Sequence, residues 1–191
     1  MEQIQNNRVI TDLYRENAQF PGIALDGSDV YLCWQRFVDR HDSLMASCRR
    51  GDEVVWEREI SDGGEVLHPV ILAHGGAIWY AWSEYARENW RILARCYRDG
   101  QWGEVLTVAS GEALFFPRLF TWQGKLHVIW TEQHKGSAAA VLCPLTEAGP
   151  GAAETVSVVG EAYRAGAAEG GDGNLYVAYD GFDGKQYKLF A

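Results

Sequence analysis

The sequence has no apolar stretch near twenty residues, which excludes a membrane-spanning helix. Its first ten residues, MEQIQNNRVI, also lack the apolar core of a secretory signal peptide. We therefore expect a soluble, cytoplasmic protein, or a secreted one if the sequence is a piece of a longer secreted chain. The net charge is −9, which argues against binding to a phosphate backbone or to an anionic membrane. We expect no nucleic acid and no membrane among its partners.

Several motifs of catalysis and cofactor binding are missing as well. No glycine-rich phosphate loop follows a predicted strand, and no G-x-S-x-G serine elbow occurs. The five histidines do not have the spacing of a metal site. We expect no cofactor, no bound metal and no catalytic residue of these types.

The four cysteines do not form the framework of a disulfide-rich domain. Cys48, Cys96 and Cys143 lie 48 and 47 residues apart, at equivalent points of successive units of the chain. Equivalent points of neighbouring units are too far apart for a disulfide, which needs Cα atoms within about 7 Å. Buried free thiols are the preferred interpretation. A bond between Cys33 and Cys48, within one unit, is the alternative.

The sequence does contain a pattern that occurs four times: a proline in three copies, about a dozen residues, then an aromatic that closes an apolar run. The copies read FPGIALDGSDVYLCW, HPVILAHGGAIWYAW, FPRLFTWQGKLHVIW and YRAGAAEGGDGNLYVAY. The closing aromatics are Trp34, Trp82, Trp130 and Tyr179, which are 48, 48 and 49 residues apart. A period near fifty residues with strand-like content is typical of β-propeller blades.

Each unit divides into four short strands, which predicts an all-β fold with one domain over residues 1–191. The first strands are predicted at 23–25, 70–73, 119–121 and 165–168, and each precedes a glycine-containing turn. The second strands run into the closing aromatics, with large apolar residues on one side and smaller ones on the other, as stacked sheets require. The third strands are predicted at 44–49, 92–98, 138–143 and 186–190, and the fourth at 54–60, 102–108 and 155–159. Residues 88–98 alone also fit an amphipathic helix, but the register of the repeat favours a strand.

The last unit stops after its third strand, and residues 8–14 resemble a lone outer strand. We therefore predict a four-bladed propeller with blades at 20–60, 68–109, 116–160 and 163–191 plus 8–14. Residues 8–14 would complete the last four-stranded antiparallel blade and remove a raw sheet edge. The alternative is an eight-bladed ring formed by two chains, so the protein is expected to be a monomer or a homodimer.

The second unit, HPVILAHGGAIWYAWSEYARENWRILARCYRDGQWGE, resembles the blades of sialidase-like propellers. Those blades run from a proline through a glycine turn to a tryptophan, then through an I-x-A-R-like strand to D-G-x-W. Residues 92–95 and 99–102 carry the later part of this pattern. The resemblance implies a propeller fold. The Asp-box motif S-x-D-x-G-x-x-W of that superfamily is absent, and no sialidase catalytic set can be assembled, so the resemblance does not imply sialidase chemistry.

In a propeller, the turns between second and third strands lie on the same face as the loops that lead into the first strands. Carboxylates and arginines would gather on that face among tryptophans, a combination that suits a sugar, since aromatic faces stack on sugar rings and fixed polar groups orient hydroxyls. The predicted ligand-binding residues are Trp82, Glu84, Trp130, Glu132, Arg118, Arg164, Asp180 and Arg36. The alternative is that these side chains pack the blades together.

We therefore predict a non-enzymatic, lectin-like module that binds a glycan or another small polar ligand. One alternative is a scaffold that binds a protein partner. Another is a degenerate glycoside hydrolase-like enzyme, since Glu84 and Glu132 come from successive units and glycoside hydrolysis uses two carboxylates.

Overall fold

The computed structural model describes residues 17–61, 63–158 and 161–191. These residues form seventeen strands in four antiparallel sheets, and no helix occurs among them. Each sheet corresponds to one repeat unit, and we call the sheets blades 1 to 4 in chain order. The all-β prediction is confirmed.

The first two blades have their strands in sequence order across the sheet. Blade 1 contains β1 (Asn17–Asp26), β2 (Asp29–Val38), β3 (His41–Arg50) and β4 (Glu53–Glu59). Blade 2 contains β5 (Glu65–His74), β6 (Ala77–Ala86), β7 (Asn89–Arg98), β8 (Gln101–Trp102) and β9 (Leu106–Gly111).

The last two blades follow the same order. Blade 3 contains β10 (Ala113–Trp122), β11 (Lys125–His134), β12 (Ser137–Thr146), β13 (Gly149–Pro150) and β14 (Glu154–Thr155). Blade 4 contains β15 (Ala162–Glu169), β16 (Leu175–Phe182) and β17 (Tyr187–Phe190). The segment 88–98, for which the repeat favoured a strand over a helix, contains β7, and the strand prediction is confirmed.

The outer strands of blades 2 and 3 are broken, although a single strand was predicted in each. In blade 2 the break lies at Gly103, whose backbone N–H donates to the carbonyl of Cys96 at 2.9 Å. A Cβ at this position would lie 2.9 Å from the Cys96 sulfur, so the close approach requires glycine. Gly151 makes the same contact with Pro144 in blade 3, at 2.8 Å. Both breaks therefore arise from one repeated glycine.

A β-bulge lies opposite each closing aromatic. In blade 1, Gln19 pairs with Gln35 and Gly22 pairs with Cys33, so Phe20 and Pro21 together oppose Trp34. The same shift occurs in the other three blades, opposite Trp82, Trp130 and Tyr179. The repeated proline of the sequence thus lies in the bulge, directly opposite the repeated aromatic. The first strand therefore includes the proline instead of starting after it.

The first residue of every bulge has a left-handed backbone. The φ angles are 51° at Phe20, 54° at His68, 56° at Phe116 and 49° at Arg164. Residues other than glycine seldom adopt this conformation, and it persists only where the surrounding structure holds it. These four residues are spaced by 48, and the first three are in contact across successive blades. The ring centroids of Phe20 and His68 lie 5.1 Å apart, and those of His68 and Phe116 lie 4.3 Å apart.

The core lies between the blades, as the large and small rows of the second strands predict. Tyr80 and Trp82 of blade 2 are fully buried against Cys33 of blade 1. On the opposite side of the same strand, Ala81 packs in a cluster with Leu126 of blade 3. Burial of large apolar side chains contributes about 1.5–3 kcal/mol each, so these interfaces are the main source of stability.

The four cysteines are free and buried, as the preferred interpretation holds, and none forms a disulfide. Burial raises the pKa of the Cys33 thiol to about 12 and that of Cys143 to about 11. These thiols are therefore unreactive core residues at neutral pH.

Blades 1 and 4 are not joined through strand pairing by any described residue. Blade 4 has three strands, and the segment predicted to complete it, residues 8–14, lies outside the described residues. The described part of the chain is an open arc of four blades, in which apolar side chains are exposed on the terminal ones, including Ile23 in β1 and Leu189 in β17.

We predict that Gly22→Ala destabilises the fold by about 1–3 kcal/mol, because overpacking a core costs that amount. The added Cβ would lie 2.8 Å from the Cys33 sulfur and 3.0 Å from Ile71 Cγ2, across the interface of blades 1 and 2. The control is Gly166→Ala, at the equivalent place in blade 4, where no atom lies within 4 Å of the added Cβ. This change should be neutral or stabilise by up to about 1 kcal/mol. Urea denaturation of both variants checks the difference, and equal midpoints would contradict the stacking described here.

Candidate functional site

One end of the blades carries the hairpins between second and third strands together with the segments that lead into first strands. The pairing of Glu65 with Tyr85 places the start of β5 beside the end of β6. We call this end the hairpin face, and it is the face on which the sequence predicts the ligand site.

A cavity of about 450 Å³ lies on the hairpin face between blades 1 and 2. Blade 1 contributes the tip of its β2–β3 hairpin, and blade 2 contributes its β6–β7 hairpin, the start of β7 and the segment before β5. The lining residues with polar or aromatic side chains are Arg40, His41, Glu65, Tyr85, Arg87 and Arg91. This volume is in the usual range of small-molecule sites, about 300–1,000 Å³.

Glu84 is buried beneath this cavity and holds one of its lining residues, Arg91. Its side chain is 0% exposed, and a buried carboxylate needs compensating hydrogen bonds. The Trp82 indole Nε1 donates to Glu84 Oε2 at 3.0 Å, and Arg91 donates to Oε1 at 2.6 Å. Arg91 faces Glu84 because the two residues are paired across β6 and β7. The predicted residues Trp82 and Glu84 are therefore adjacent, buried, and in contact with a cavity residue.

The equivalent pair in blade 3 has a different environment. Trp130 is buried and its Nε1 donates to Glu132 Oε2 at 3.4 Å, but the residue paired with Glu132 across the strands is Ala139, not an arginine. Glu132 is partly exposed and lines a second cavity, of about 410 Å³, together with His134 and Ser137. The same sequence pattern thus gives one buried, arginine-paired carboxylate and one accessible carboxylate.

Two of the other predicted residues form a close pair at the bulge of blade 4. The Arg164 guanidinium donates to both carboxylate oxygens of Asp180, at 3.0 and 2.8 Å. This bidentate hydrogen bond raises the pKa of Arg164. The backbone N–H of Arg164 also donates to Thr131 Oγ1 at 3.1 Å, which ties blade 4 to blade 3.

The remaining predicted residues, Arg36 and Arg118, lie apart from the cavity. Arg36 donates to Glu59 at 3.0 Å, across blade 1. Arg118 is exposed in β10. The pKa of His68 is lowered by the burial of the His68 ring and by the positive charge of Arg118. The eight predicted residues therefore occupy several separate places. None of them is among the residues that line the cavity between blades 1 and 2, and the Trp82–Glu84 pair is connected to it through Arg91.

Sequence reasoning missed the residues that line this cavity. Arg40 and Arg87 occupy two-residue hairpin turns, and Arg91 lies seven residues after Glu84. The sequence did contain a signal for the turns themselves. Their first residues, 39, 87 and 135, recur at the same spacing of 48 as the closing aromatics, and Arg40 follows residue 39. Which turns meet across two blades, however, becomes visible only in the stacked structure.

The described residues contain no group of three histidine, cysteine, aspartate or glutamate side chains arranged to hold a metal ion. No helix long and apolar enough to cross a membrane was found in the described ranges of the chain.

No protein-family model matches the sequence, and no curated protein matches it either. Solved structures do resemble the fold. An endo-arabinase from Bacteroides thetaiotaomicron has a TM-score of 0.62 at 12% identity, over 96% of this chain and 78% of that one. A family 117 glycoside hydrolase from the marine bacterium Zobellia galactanivorans has a TM-score of 0.60 at 11% identity, over 92% and 66%.

A neuraminidase-like protein of a little yellow-shouldered bat isolate gives a TM-score of 0.59 at 9% identity, and this chain spans 60% of its length. Most of the similar structures are glycoside hydrolases. At these identities the likeness shows the fold, which is that of a β-propeller.

We predict that Arg91→Met destabilises the protein by about 3–5 kcal/mol, because it leaves the buried Glu84 carboxylate without its cation. The double variant Glu84→Gln/Arg91→Met should recover most of this loss, since removing both charges of a buried pair costs little. Arg36→Met, which breaks the partly exposed pair with Glu59, should cost less than about 1 kcal/mol. Chemical denaturation measures all three variants. A double variant no more stable than Arg91→Met would show that the buried ion pair is not what holds this site.

Proposed function

We propose that the chain is a non-enzymatic, lectin-like propeller that binds carbohydrate in the cavity between blades 1 and 2. The observation that carries this proposal is the composition of the cavity, whose lining offers the guanidinium groups of Arg40, Arg87 and Arg91 and includes the exposed residue Tyr85. Tyr85 is 37% exposed, and its ring packs on Trp90 with centroids 5.3 Å apart. Arg91 is held by the buried Glu84. An aromatic face stacks on a sugar ring while a fixed polar group orients its hydroxyls.

The fold gives this proposal its context. The similar structures with propeller folds include glycoside hydrolases, which act on carbohydrates, and they support a carbohydrate-related role. Trp82 and Glu84 act in this proposal as supporting residues beneath the ligand, and Glu132 provides an accessible carboxylate on the same face.

The state of Glu84 favours binding over hydrolysis. Glycosidases of the common types place two carboxyl groups about 5–9.5 Å apart around the scissile bond. Glu84 is fully buried and both of its oxygens accept hydrogen bonds from the protein, so it does not reach a substrate. An activity screen with aryl glycosides should therefore be silent across the pH range, and turnover that is lost in Glu132→Gln would establish the enzyme alternative.

A protein-binding scaffold is the second candidate, and the open ends of the arc favour it. Ile23 and Leu25 in β1 are 65% and 63% exposed, and Tyr187 and Leu189 in β17 are 63% and 79% exposed. Apolar patches of this kind mark interaction surfaces. A scaffold would give no hits on a glycan array and would retain a partner in a pull-down.

We also propose that the arc closes into a four-bladed ring within one chain, with residues 8–14 beside β17. The outer edge of β17 supports this, because no described residue pairs with it, whereas each of the other three sheets has a further strand at that place. Light scattering separates this closure from the eight-bladed ring of two chains, which has twice the mass.

We predict that Tyr85→Ala weakens binding to the best ligand from a glycan array by at least about tenfold, or 1.4 kcal/mol. The loss should arise because the stacking surface disappears, while the melting temperature changes little at an exposed position. Tyr187→Ala, which removes an exposed tyrosine of blade 4, is the matched control and should keep wild-type affinity. Isothermal titration calorimetry provides the measurement. Unchanged affinity in Tyr85→Ala would remove the cavity from consideration as the sugar site.

A further inference from the structure

We propose that the cavity between blades 1 and 2 recognises an oxyanion, a carboxylate or a sulfate, carried on the sugar. This inference rests on the proposed function and adds the chemical class of the ligand.

Two arginines of the cavity stand out because their charges are not neutralised. The guanidinium groups of Arg40 and Arg87 form no hydrogen bond or ion pair with any described residue. Most other arginines of the described chain are paired with a carboxylate, namely Arg36, Arg49, Arg50, Arg91, Arg98 and Arg164. In a chain with a net charge of −9, two unpaired arginines at one cavity are a local excess of positive charge.

The backbone holds both arginines in defined places. Val38 pairs with His41 and Ala86 pairs with Asn89, so each arginine lies in a hairpin loop of only two residues. Arg40 has a φ of 65° and Arg87 a φ of 53°, which are the left-handed angles that such tight hairpins require. The two loops come from different blades and meet at the same cavity, so the position of the charges is set by the stacking of the blades.

Arg91 and His41 complete the set of groups that suit an anion. Arg91 is fixed by Glu84 at 2.6 Å and still lines the cavity. His41 follows Arg40 and is exposed beside it. Glu65 is the one carboxylate among the described residues of the lining, against three guanidinium groups. Because Glu84 balances the charge of Arg91, the described lining keeps the charges of Arg40 and Arg87 against that of Glu65, which is an excess of positive charge among these residues.

Guanidinium groups present a planar fork of N–H donors that matches the oxygens of a carboxylate or a sulfate. Tyr85 is an exposed aromatic residue of the same lining, and its ring packs on Trp90. A cavity of about 450 Å³ accommodates a sugar of one or two rings. The positive charge favours an acidic saccharide over a neutral one, and the volume favours it over a free inorganic anion, which would fill only a small part of the cavity.

The test compares three tetrasaccharides: a hyaluronan fragment with carboxylates, a chondroitin sulfate fragment with sulfates in addition, and neutral chitotetraose. Titration calorimetry on the wild-type protein should give at least about tenfold tighter binding for an acidic fragment than for chitotetraose. Arg40→Gln and Arg87→Gln should each weaken that binding about ten- to a hundredfold, as expected for loss of a charge-assisted hydrogen bond. The comparison of the two acidic fragments identifies the oxyanion.

Lys135→Gln is the matched control, since Lys135 has the same place in the β11–β12 hairpin as Arg87 has in blade 2. It should retain wild-type affinity, and melting temperatures should show that all variants are folded. Equal binding of chitotetraose, unaffected by the arginine variants, would overturn this inference and leave the proposed function standing. An equal loss in Lys135→Gln would also overturn it, because the effect would then be one of overall charge. Absence of binding to any saccharide would reject the proposed function and this inference together.

Discussion

The blades stack as they do because each first strand carries a bulge opposite the closing aromatic of the second strand. Two residues on one strand oppose one large ring on the other, and Pro21 facing Trp34 is the first instance. The bulge bends the strand and increases its twist. Its left-handed residue contacts that of the next blade, as His68 and Phe116 show. The closing rings of blades 2 and 3, Trp82 and Trp130, are buried against the preceding blade.

The candidate site is a consequence of this stacking. The interface of blades 1 and 2 brings two hairpin tips together, so Arg40 and Arg87 line one cavity although they are 47 residues apart. The buried Glu84 has its charge compensated by Arg91 on the neighbouring strand. A buried ion pair of this kind fixes position more than it adds stability, which suits a residue that lines a binding site. The binding surface is thus built on strands and tight turns, which hold a ligand site in a defined geometry.

Much of the fold was predictable from the sequence and rather less of the site. The spacing of Trp34, Trp82, Trp130 and Tyr179 gave the blades, because a repeated sequence forms a repeated unit. The bulge was not predicted, since a proline before a strand gives no sign that the strand begins before it. Glu84 and Glu132 each follow a closing tryptophan by two residues, which predicted equal roles for them. The structure gives them different environments because the residue that faces each one, Arg91 or Ala139, lies on another strand.

The left-handed residue of every blade can be probed at Phe20, which is 43% exposed and has a φ of 51°. Equilibrium urea denaturation should compare Phe20→Gly with Phe20→Val. At an ordinary strand position valine is favoured over glycine. At a left-handed position the order reverses, because glycine adopts this angle without strain and a β-branched residue does not. The glycine variant should therefore unfold at the higher urea concentration, and a more stable valine variant would contradict a left-handed residue at this position.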